Sequence, residues 1–361
     1  MDSALFDYEL PESCIAYTPA ARRDESRLLV VDRKTRAVTH RIFRDLPDLL
    51  PLGTTLFRNN AKVLRARLPG MRPTGGKVEC LLLRPAESPE VWWCLLKPGK
   101  KAADAAGFGW LDAYRAKVVE QRDSEYRVHF DLPEGKSILS VADEIGALPL
   151  PPYIEKARPA DGTDFSMLDR ERYQTIYADP RQPVAAAAPT AGLHFSTEVL
   201  SALAARSFET HDLTLHVGLG TFQPIKSEKI EDHPIHREWY EIPFETRRAL
   251  LTSSPRLAVG TTSLRAMEDY ARKTKDEPAP LANPSPFASE ANLFIYPPSR
   301  FLGAELLLTN FHLPRSTLMC LVSAFLTPGD DTGIGWLKEL YNEAIAQGYR
   351  FYSYGDAMLI L

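Results

Sequence analysis

Long apolar runs are missing from this chain. Nothing in its 361 residues approaches the ~18–20 consecutive apolar positions that a membrane-spanning helix requires. Its opening stretch, MDSALFDYELPES, is acidic and carries no basic segment followed by an apolar core, so export through a secretory signal is not expected. Cysteine is scarce. Cys14, Cys80, Cys94 and Cys320 are scattered and form no C-x-x-C pair, a pattern expected of buried thiols in a reducing cytoplasm rather than of a disulfide framework or zinc knuckle. No internal repeat is visible, and no strong excess of one charge: the net value of −4 argues against indiscriminate nucleic-acid binding.

What is present is the composition of a globular protein, 44% hydrophobic and 25% charged, long enough to bury a large core and to exceed one ordinary domain. From Ala61 to about Leu150 the chain reads as short β-like runs separated by Pro/Gly turns: AKVLRARL, KVECLLLRP, VWWCLLK, RAKVVEQR and YRVHFDL. Strands so spaced suggest a small barrel. From Pro151 onward strands alternate with helices. PVAAAA leads to a helix over about 196–206, RLAV to one over 263–273, and AELLLTNF to one over 316–326. A further helix is expected near 336–346, and YRFYSYGDAMLIL closes the chain as a strand. Alternation of this kind predicts an α/β fold with a mixed, partly parallel sheet flanked by helices. Residues 1–60, with a β segment at RLLVVDR, join that α/β unit, which makes residues 61–150 an inserted β-barrel domain and 151–361 the remainder of a discontinuous α/β domain. The proline-rich segment 274–291 is expected as a surface loop.

The chemistry gathers at four strand ends. PTAGLHFS (189–196) follows VAAAA, GLGTF (218–222) follows LTLHV, GTTS (260–263) follows RLAV, and HLPRST (312–317) follows LLLTNF. In open α/β sheets ligands bind beyond the carboxyl ends of strands, where glycine permits close backbone approach and free helix N–H groups attract negative charge. The G-x-G at Gly218 and Gly220 is not a dinucleotide loop, because a third glycine and a following helix are lacking. Three of the eight histidines, His194, His216 and His312, fall at these ends. One such histidine is more often a hydrogen-bonded structural residue; three converging ones point to acid–base chemistry. No two have H-x-x-x-H spacing, so no metal is expected. Gly260 and its hydroxyl neighbours fit a turn and helix cap as well as a ligand contact. The terminal aromatics Tyr349, Phe351, Tyr352 and Tyr354 are read as packing residues. Residues 58–77 hold six Lys or Arg and no acid. They form either a solvated face or, if they front the same crevice, an RNA contact.

The runs APTAGLHF, TLHVGLGTF, VGTTSLRAMED, LLTNFHLPRSTL and YRFYSYGDAMLI resemble the S-adenosylmethionine:tRNA ribosyltransferase-isomerases of queuosine biosynthesis. FDYELPESCIA, SRLLVVDRKT, GGKVECLLL, LLKPGKK, PLPPYI and RYQTIYA extend the likeness over nearly the whole chain, in family order. The resemblance implies an α/β domain with an inserted barrel, and an unusual reaction. The ribosyl part of S-adenosylmethionine passes to 7-aminomethyl-7-deazaguanine at the tRNA wobble position, giving epoxyqueuosine and releasing adenine and methionine. S-Adenosylmethionine is then a consumed substrate, and no cofactor is expected. The sulfonium acidifies the adjacent 5′ carbon, so His194, His216 and His312 are the candidate bases. Thr190, Gly192, Gly218, Gly220, Thr221, Thr261, Thr262, Arg265, Thr309 and Asn310 are the candidate substrate contacts. Lys62, Arg65, Arg67, Arg72 and Lys77 are the candidate tRNA contacts. A cytoplasmic monomer is expected.

Three departures stand out, one of them the stretch VAAAA before Pro189, where the family often has a serine. The family commonly has Asn-Asp-Thr-Arg-Val where this chain reads Asn59-Asn60-Ala61-Lys62-Val63, and its IYPG is here IYPPS (295–299). Loss of the carboxylate and guanidinium keeps open a second reading, a non-catalytic RNA-binding relative; retention of the three histidines opposes it. A methyltransferase reading lacks the expected strand–glycine loop near the N-terminus.

Overall fold

The computed structural model describes residues 1–361 except 104–105, 186, 217, 219–223, 253–254 and 278–280. Along the chain, β1 (Arg27–Val31), β2 (Val38–Ile42) and β3 (Thr55–Asn59) come first, followed by the short β4 (Lys62–Val63). Six strands follow: β5 (Arg67–Met71), β6 (Lys77–Pro85), β7 (Val91–Lys97), β8 (Phe108–Trp110), β9 (Tyr114–Arg122) and β10 (Glu125–Asp131). After β11 (Pro183–Ala185) come β12 (Thr210–Leu215), β13 (Glu238–Ile242), β14 (Arg256–Val259), β15 (Phe287–Ala291), β16 (Leu306–Asn310) and β17 (Ala357–Ile360).

Nine of these strands form one mixed sheet in the order β15-β13-β12-β3-β14-β16-β17-β1-β2, and β5 to β10 close an antiparallel barrel in the order β10-β7-β6-β5-β8-β9. The expected α/β class with a partly parallel sheet and an added barrel is therefore observed. Alternation of side chains explains why the large sheet is covered twice. Leu28, Val30, Leu306, Leu308 and Leu359 face one core, which the helix Thr197–Ala205 completes with Val199 and Leu203. Leu29, Val31, Leu307, Met358 and Ile360 face the other, under the helices Thr261–Thr274, Thr317–Leu326 and Gly333–Ala346. The barrel has its own core of Leu68, Cys80, Cys94, Phe108, Val128 and Phe130. One end is plugged by the helix Ile138–Ile145, started by Ser137, whose hydroxyl accepts from Ser140 N.

Four local expectations change. AKVLRARL is not one strand: Lys62–Val63 pairs in parallel with β11, and only Arg67–Met71 enters the barrel. PVAAAA accordingly leaves the main sheet. The predicted loop 274–291 ends in an edge strand, Phe287–Ala291, hydrogen-bonded along β13. The closing aromatic run is a strand only over Ala357–Ile360, antiparallel to β16 and parallel to β1.

Candidate active site

Strands β12, β3, β14 and β16 are mutually parallel, so their carboxyl ends share one edge of the sheet. Strand β17 runs against β16, with Asn310 opposite Ala357, and this brings the segment before β17 to the same edge. A pocket of about 600 Å³, solvent at its mouth included, opens there. Its walls include Thr190, Gly260, Thr261, Thr262, Thr309, Asn310 and His312, with Tyr153, Ser316, Tyr352 and Ser353. Three of the four predicted junctions thus converge on one cavity.

The local backbone explains the convergence. Gly260 sits at φ +93°, a conformation that disfavours any side chain, and turns the chain from β14 straight into the helix Thr261–Thr274. No side chain caps this helix, and its first residues, Thr261 and Thr262, line the pocket. The neighbouring helix is built differently: Ser316 accepts from Met319 N, which closes its own first turn. Gly192 has another use. A Cβ there would collide with the Tyr177 hydroxyl, so that glycine permits close packing beneath the pocket and does not line it.

The three histidines separate. His312 lines the pocket; its Nε2 lies 2.8 Å from Thr309 Oγ1, and Nδ1 has no protein partner among the described residues. Thr309 Oγ1 also donates to Asn310 O at 3.3 Å. With the hydroxyl proton committed to that carbonyl, Thr309 accepts from Nε2–H and leaves the Nδ1 lone pair free. Tyr8 and Tyr341 fix the backbone beneath: Tyr8 donates to His312 O at 2.5 Å, and His312 N donates to Tyr341 Oη at 3.0 Å. Burial pushes the His312 ring down to about 3, so it is neutral at ordinary pH.

His194 lies one layer deeper, with both ring nitrogens engaged: Nδ1 with Ser26 Oγ at 2.9 Å, Nε2 with Asn310 Nδ2 at 3.0 Å. Burial, with Arg350 and Arg23 nearby, pushes it down to about 3. His216 is not brought into the pocket by the described residues. Its ring packs edge-on against Trp239 at 4.6 Å, its Nε2 is buried without a partner among the described residues, and burial lowers it to about 4. The chain beyond it is next described continuously from Pro224, which pairs with the pocket residue Ser316. Gly220 and Thr221 lie outside the described residues, and Gly218 stands in open space.

Arg265 is not free for a ligand. Its guanidinium is held by Glu238 at 2.7 Å and by the carbonyls of His236, Ala291 and Leu293. It stands in a second, smaller pocket that shares Thr261, Thr262 and Leu318 with the first. The sequence reading missed Tyr153, Tyr352 and Ser353. Tyr153 and Tyr352 pack at 4.6 Å, and the Tyr153 hydroxyl bonds Ser353 Oγ. Tyr352 adopts φ +71°, rare for a residue with a side chain, and such strain gathers at ligand sites. Their only sequence signal lay inside PLPPYI and YRFYSYGD, read there as motif and packing.

The family described as Queuosine biosynthesis protein matches residues 3–360. The chain belongs to that family. An S-adenosylmethionine:tRNA ribosyltransferase-isomerase of Gloeobacter violaceus is 47% identical over 99% of this chain and 95% of its own. One of Pelobacter propionicus is 44% identical over 98% of each. The solved structure of the S-adenosylmethionine tRNA ribosyltransferase of Thermotoga maritima matches 99% of this chain and 100% of its own, with 32% identity and a TM-score of 0.53. Family membership makes the chain an enzyme of the transferase–isomerase class.

Against the family pattern, Asn59 and Asn60 have clear structural work. Asn59 Oδ1 accepts from Ala61 N and Leu215 N, while Asn60 Oδ1 accepts the Thr214 hydroxyl at 2.8 Å. An amide oxygen thus provides the acceptor that the family's aspartate would offer. The candidate tRNA contacts divide. Arg65 and Arg67 line a cleft with Arg170, where Arg67 pairs with Glu155 at 2.6 Å and Arg65 bonds the Asp143 carbonyl. Burial and Arg170 lower the Arg65 pKa. Arg72 and Lys77 stand on the β5–β6 hairpin, and half-buried Lys62 is on β4. The short helix Pro152–Ala157 joins the two openings, with Tyr153 in the pocket and Glu155 in the cleft. No helix of the described residues is long and apolar enough to cross a membrane.

Proposed function

We propose that this enzyme transfers and isomerises the ribosyl part of S-adenosylmethionine onto 7-aminomethyl-7-deazaguanine at the tRNA wobble position, in the cytoplasm, giving epoxyqueuosine and releasing adenine and methionine. The observation that carries the proposal is His312: a neutral imidazole with one nitrogen unpartnered among the described residues, in the strand-end pocket of a chain matched by the family from residue 3 to 360. Each wall has a part. The uncapped start of the helix Thr261–Thr274 receives the methionine carboxylate, since free N–H groups and the helix dipole favour an anion there. Tyr153 and Tyr352 flank a purine-like base. His312 Nδ1 takes the proton from the 5′ carbon that the sulfonium acidifies, and Thr309 holds the ring in the tautomer this requires. The buried imidazolium has no carboxylate partner among the described residues, so it returns its proton readily, which suits protonation of departing adenine. Arg65, Arg67 and Arg170 offer phosphate contacts at the cleft next to the pocket. No cofactor enters the reaction.

The test is incubation with S-adenosylmethionine and tRNA bearing the deazaguanine precursor. Adenine and methionine are expected in equal amounts, and only when that tRNA is present. Release of S-adenosylhomocysteine instead would establish a methyltransferase and remove this reading. Tight tRNA binding without adenine release would favour the non-catalytic RNA-binding relative.

A further inference from the structure

We propose that Thr190 is an acceptor-only hydroxyl that reads a hydrogen-bond donor on the nucleoside in this pocket, and that His194 positions it through Asn310 rather than exchanging a proton. Which ligand supplies the donor rests on the S-adenosylmethionine reading above; the polarity of the chain of bonds does not.

Two backbone carbonyls, which can only accept, fix that polarity. At one end Asn310 Nδ2 lies 3.4 Å from Asp356 O and 3.0 Å from His194 Nε2, while Asn310 Oδ1 lies 2.9 Å from Thr190 Oγ1. Turning the amide over would set two carbonyl oxygens against each other, so Nδ2 belongs on the His194 side. His194 Nε2 must then accept, and the neutral ring carries its hydrogen on Nδ1. That hydrogen goes to Ser26 Oγ at 2.9 Å, and Ser26 gives its own to Arg23 O at 3.2 Å. Every proton from Ser26 to Thr190 is thereby assigned, and the Thr190 proton is spent on Asn310. Only its lone pairs remain for the pocket that it lines.

The surroundings keep His194 out of proton transfer. Its ring is buried and lies against Phe43 at a centroid distance of 5.2 Å. The charged groups nearby are Arg23 and Arg350, both of which oppose protonation. Asp356 is committed to the backbone N–H groups of Arg27 and Arg350, at 2.9 and 2.8 Å. An imidazolium would also place Nε2–H against the Asn310 amide hydrogens. The pocket thus has one wall that accepts, at Thr190, and one that donates, at the uncapped helix start. A nucleoside offers its exocyclic amine and ribose hydroxyls to the first.

The experiment has two arms. Long-range ¹H–¹⁵N NMR of the ligand-free enzyme should show His194 as the Nδ1–H tautomer, unchanged from pH 5 to pH 8. An Nε2–H tautomer, or titration near 6.5, overturns the polarity. Calorimetric titration with S-adenosylmethionine then tests the reader. Thr190→Val should weaken binding by roughly 5- to 10-fold, the worth of one hydrogen bond, and Thr190→Ser should recover most of that loss. The wild-type to Thr190→Val ratio should fall to about one for the analogue lacking the donor that is read: adenine without its amine, or 2′-deoxy or 3′-deoxy ribose. A full ratio with all three analogues overturns the proposal. His194→Gln keeps an acceptor where Nε2 stood and should restore binding and turnover lost in His194→Ala. If both variants fold, by thermal melting, and are equally inactive, His194 takes part in the chemistry and the positioning role is wrong. Failure of wild-type enzyme to bind S-adenosylmethionine overturns the ligand assignment and the functional reading together, whereas NMR judges the polarity alone.

Discussion

His312 shows how one residue's surroundings decide its use. Its Nε2 is tied to Thr309, its backbone is pinned by Tyr8 and Tyr341, the residue lines the pocket, and its Nδ1 has no partner among the described residues. His312→Ala should therefore lower turnover by ~10²-fold or more while S-adenosylmethionine affinity changes little, as expected for a group acting mainly in the transition state. Rapid-quench and equilibrium-binding measurements separate the two quantities, and a full-rate variant would exclude His312 as the base. The pH dependence has a definite sign. A ring lowered to about 3 is unprotonated throughout pH 5–8, so kcat/KM should show no loss of base near pH 6.5 as pH falls. An inflection there would identify a more exposed group. The same three-histidine pattern was legible in the sequence, but the division of labour was not, because a ring nitrogen's role depends on partners far away in the chain. His194 meets Ser26 and Asn310, 168 and 116 residues distant.

Among the elements, the turn from β14 into its helix is the most exposed to test. At Gly260 an added Cβ would find its nearest neighbour 3.6 Å away, so space is sufficient and the penalty lies in the backbone at φ +93°. Gly260→Ala should cost about 1–3 kcal/mol in urea unfolding and shift the helix start against the ligand, weakening S-adenosylmethionine binding. Unchanged stability and affinity would show that the turn tolerates another conformation. The basic segment behaves as two elements. Replacing Arg65 and Arg67, which line the cleft, should weaken tRNA binding and flatten its log–log salt dependence by up to about 0.9 per lost phosphate contact. Replacing Arg72 on the β5–β6 hairpin tests the barrel separately. An unchanged slope in the Arg65/Arg67 pair would return this segment to a solvated face. Their proximity in sequence suggested one patch, but the break between β4 and β5 sends Lys62 to β11 and the arginines toward the barrel.

At the scale of the whole molecule, three histidines are held neutral by burial: His194 and His312 at about 3 and His216 at about 4, against an ordinary 6.5. The unfolded chain binds protons that the folded one refuses, so stability is complete above about pH 6.5 and is lost as pH falls toward those lower values. Each fully buried ring contributes a slope of up to ~1.4 kcal/mol per pH unit, so His194 and His312 together approach ~3 kcal/mol per unit between about pH 6 and 4. Buried Glu268 and Asp356, whose burial raises their pKa, act in the opposite direction and soften the decline. Urea midpoints measured from pH 7 to pH 4.5 should fall steadily below pH 6.5. A constant midpoint would mean that these rings gain protons without leaving the folded state.

Local pattern was sufficient wherever a segment's own chemistry decided its shape. RLAV is β14, KVECLLLRP is β6, VWWCLLK is β7, and the helix after Pro314 ends at Leu326 as expected. Periodicity, turn residues and caps act over a few residues, and they are written in the residues that obey them. The family runs and the pocket's glycine, threonines, asparagine and histidine were legible for the same reason. Tertiary structure alone decided which strand ends share an edge, and hence that His312 faces the pocket while His194 lies beneath it. It also turned β17 against β16, which carried Tyr352 and Ser353 into the site, and it set Arg265 on Glu238 and three carbonyls. Strand order and hydrogen-bond partnership are set by which distant surfaces bury one another, and no short stretch of sequence contains that information.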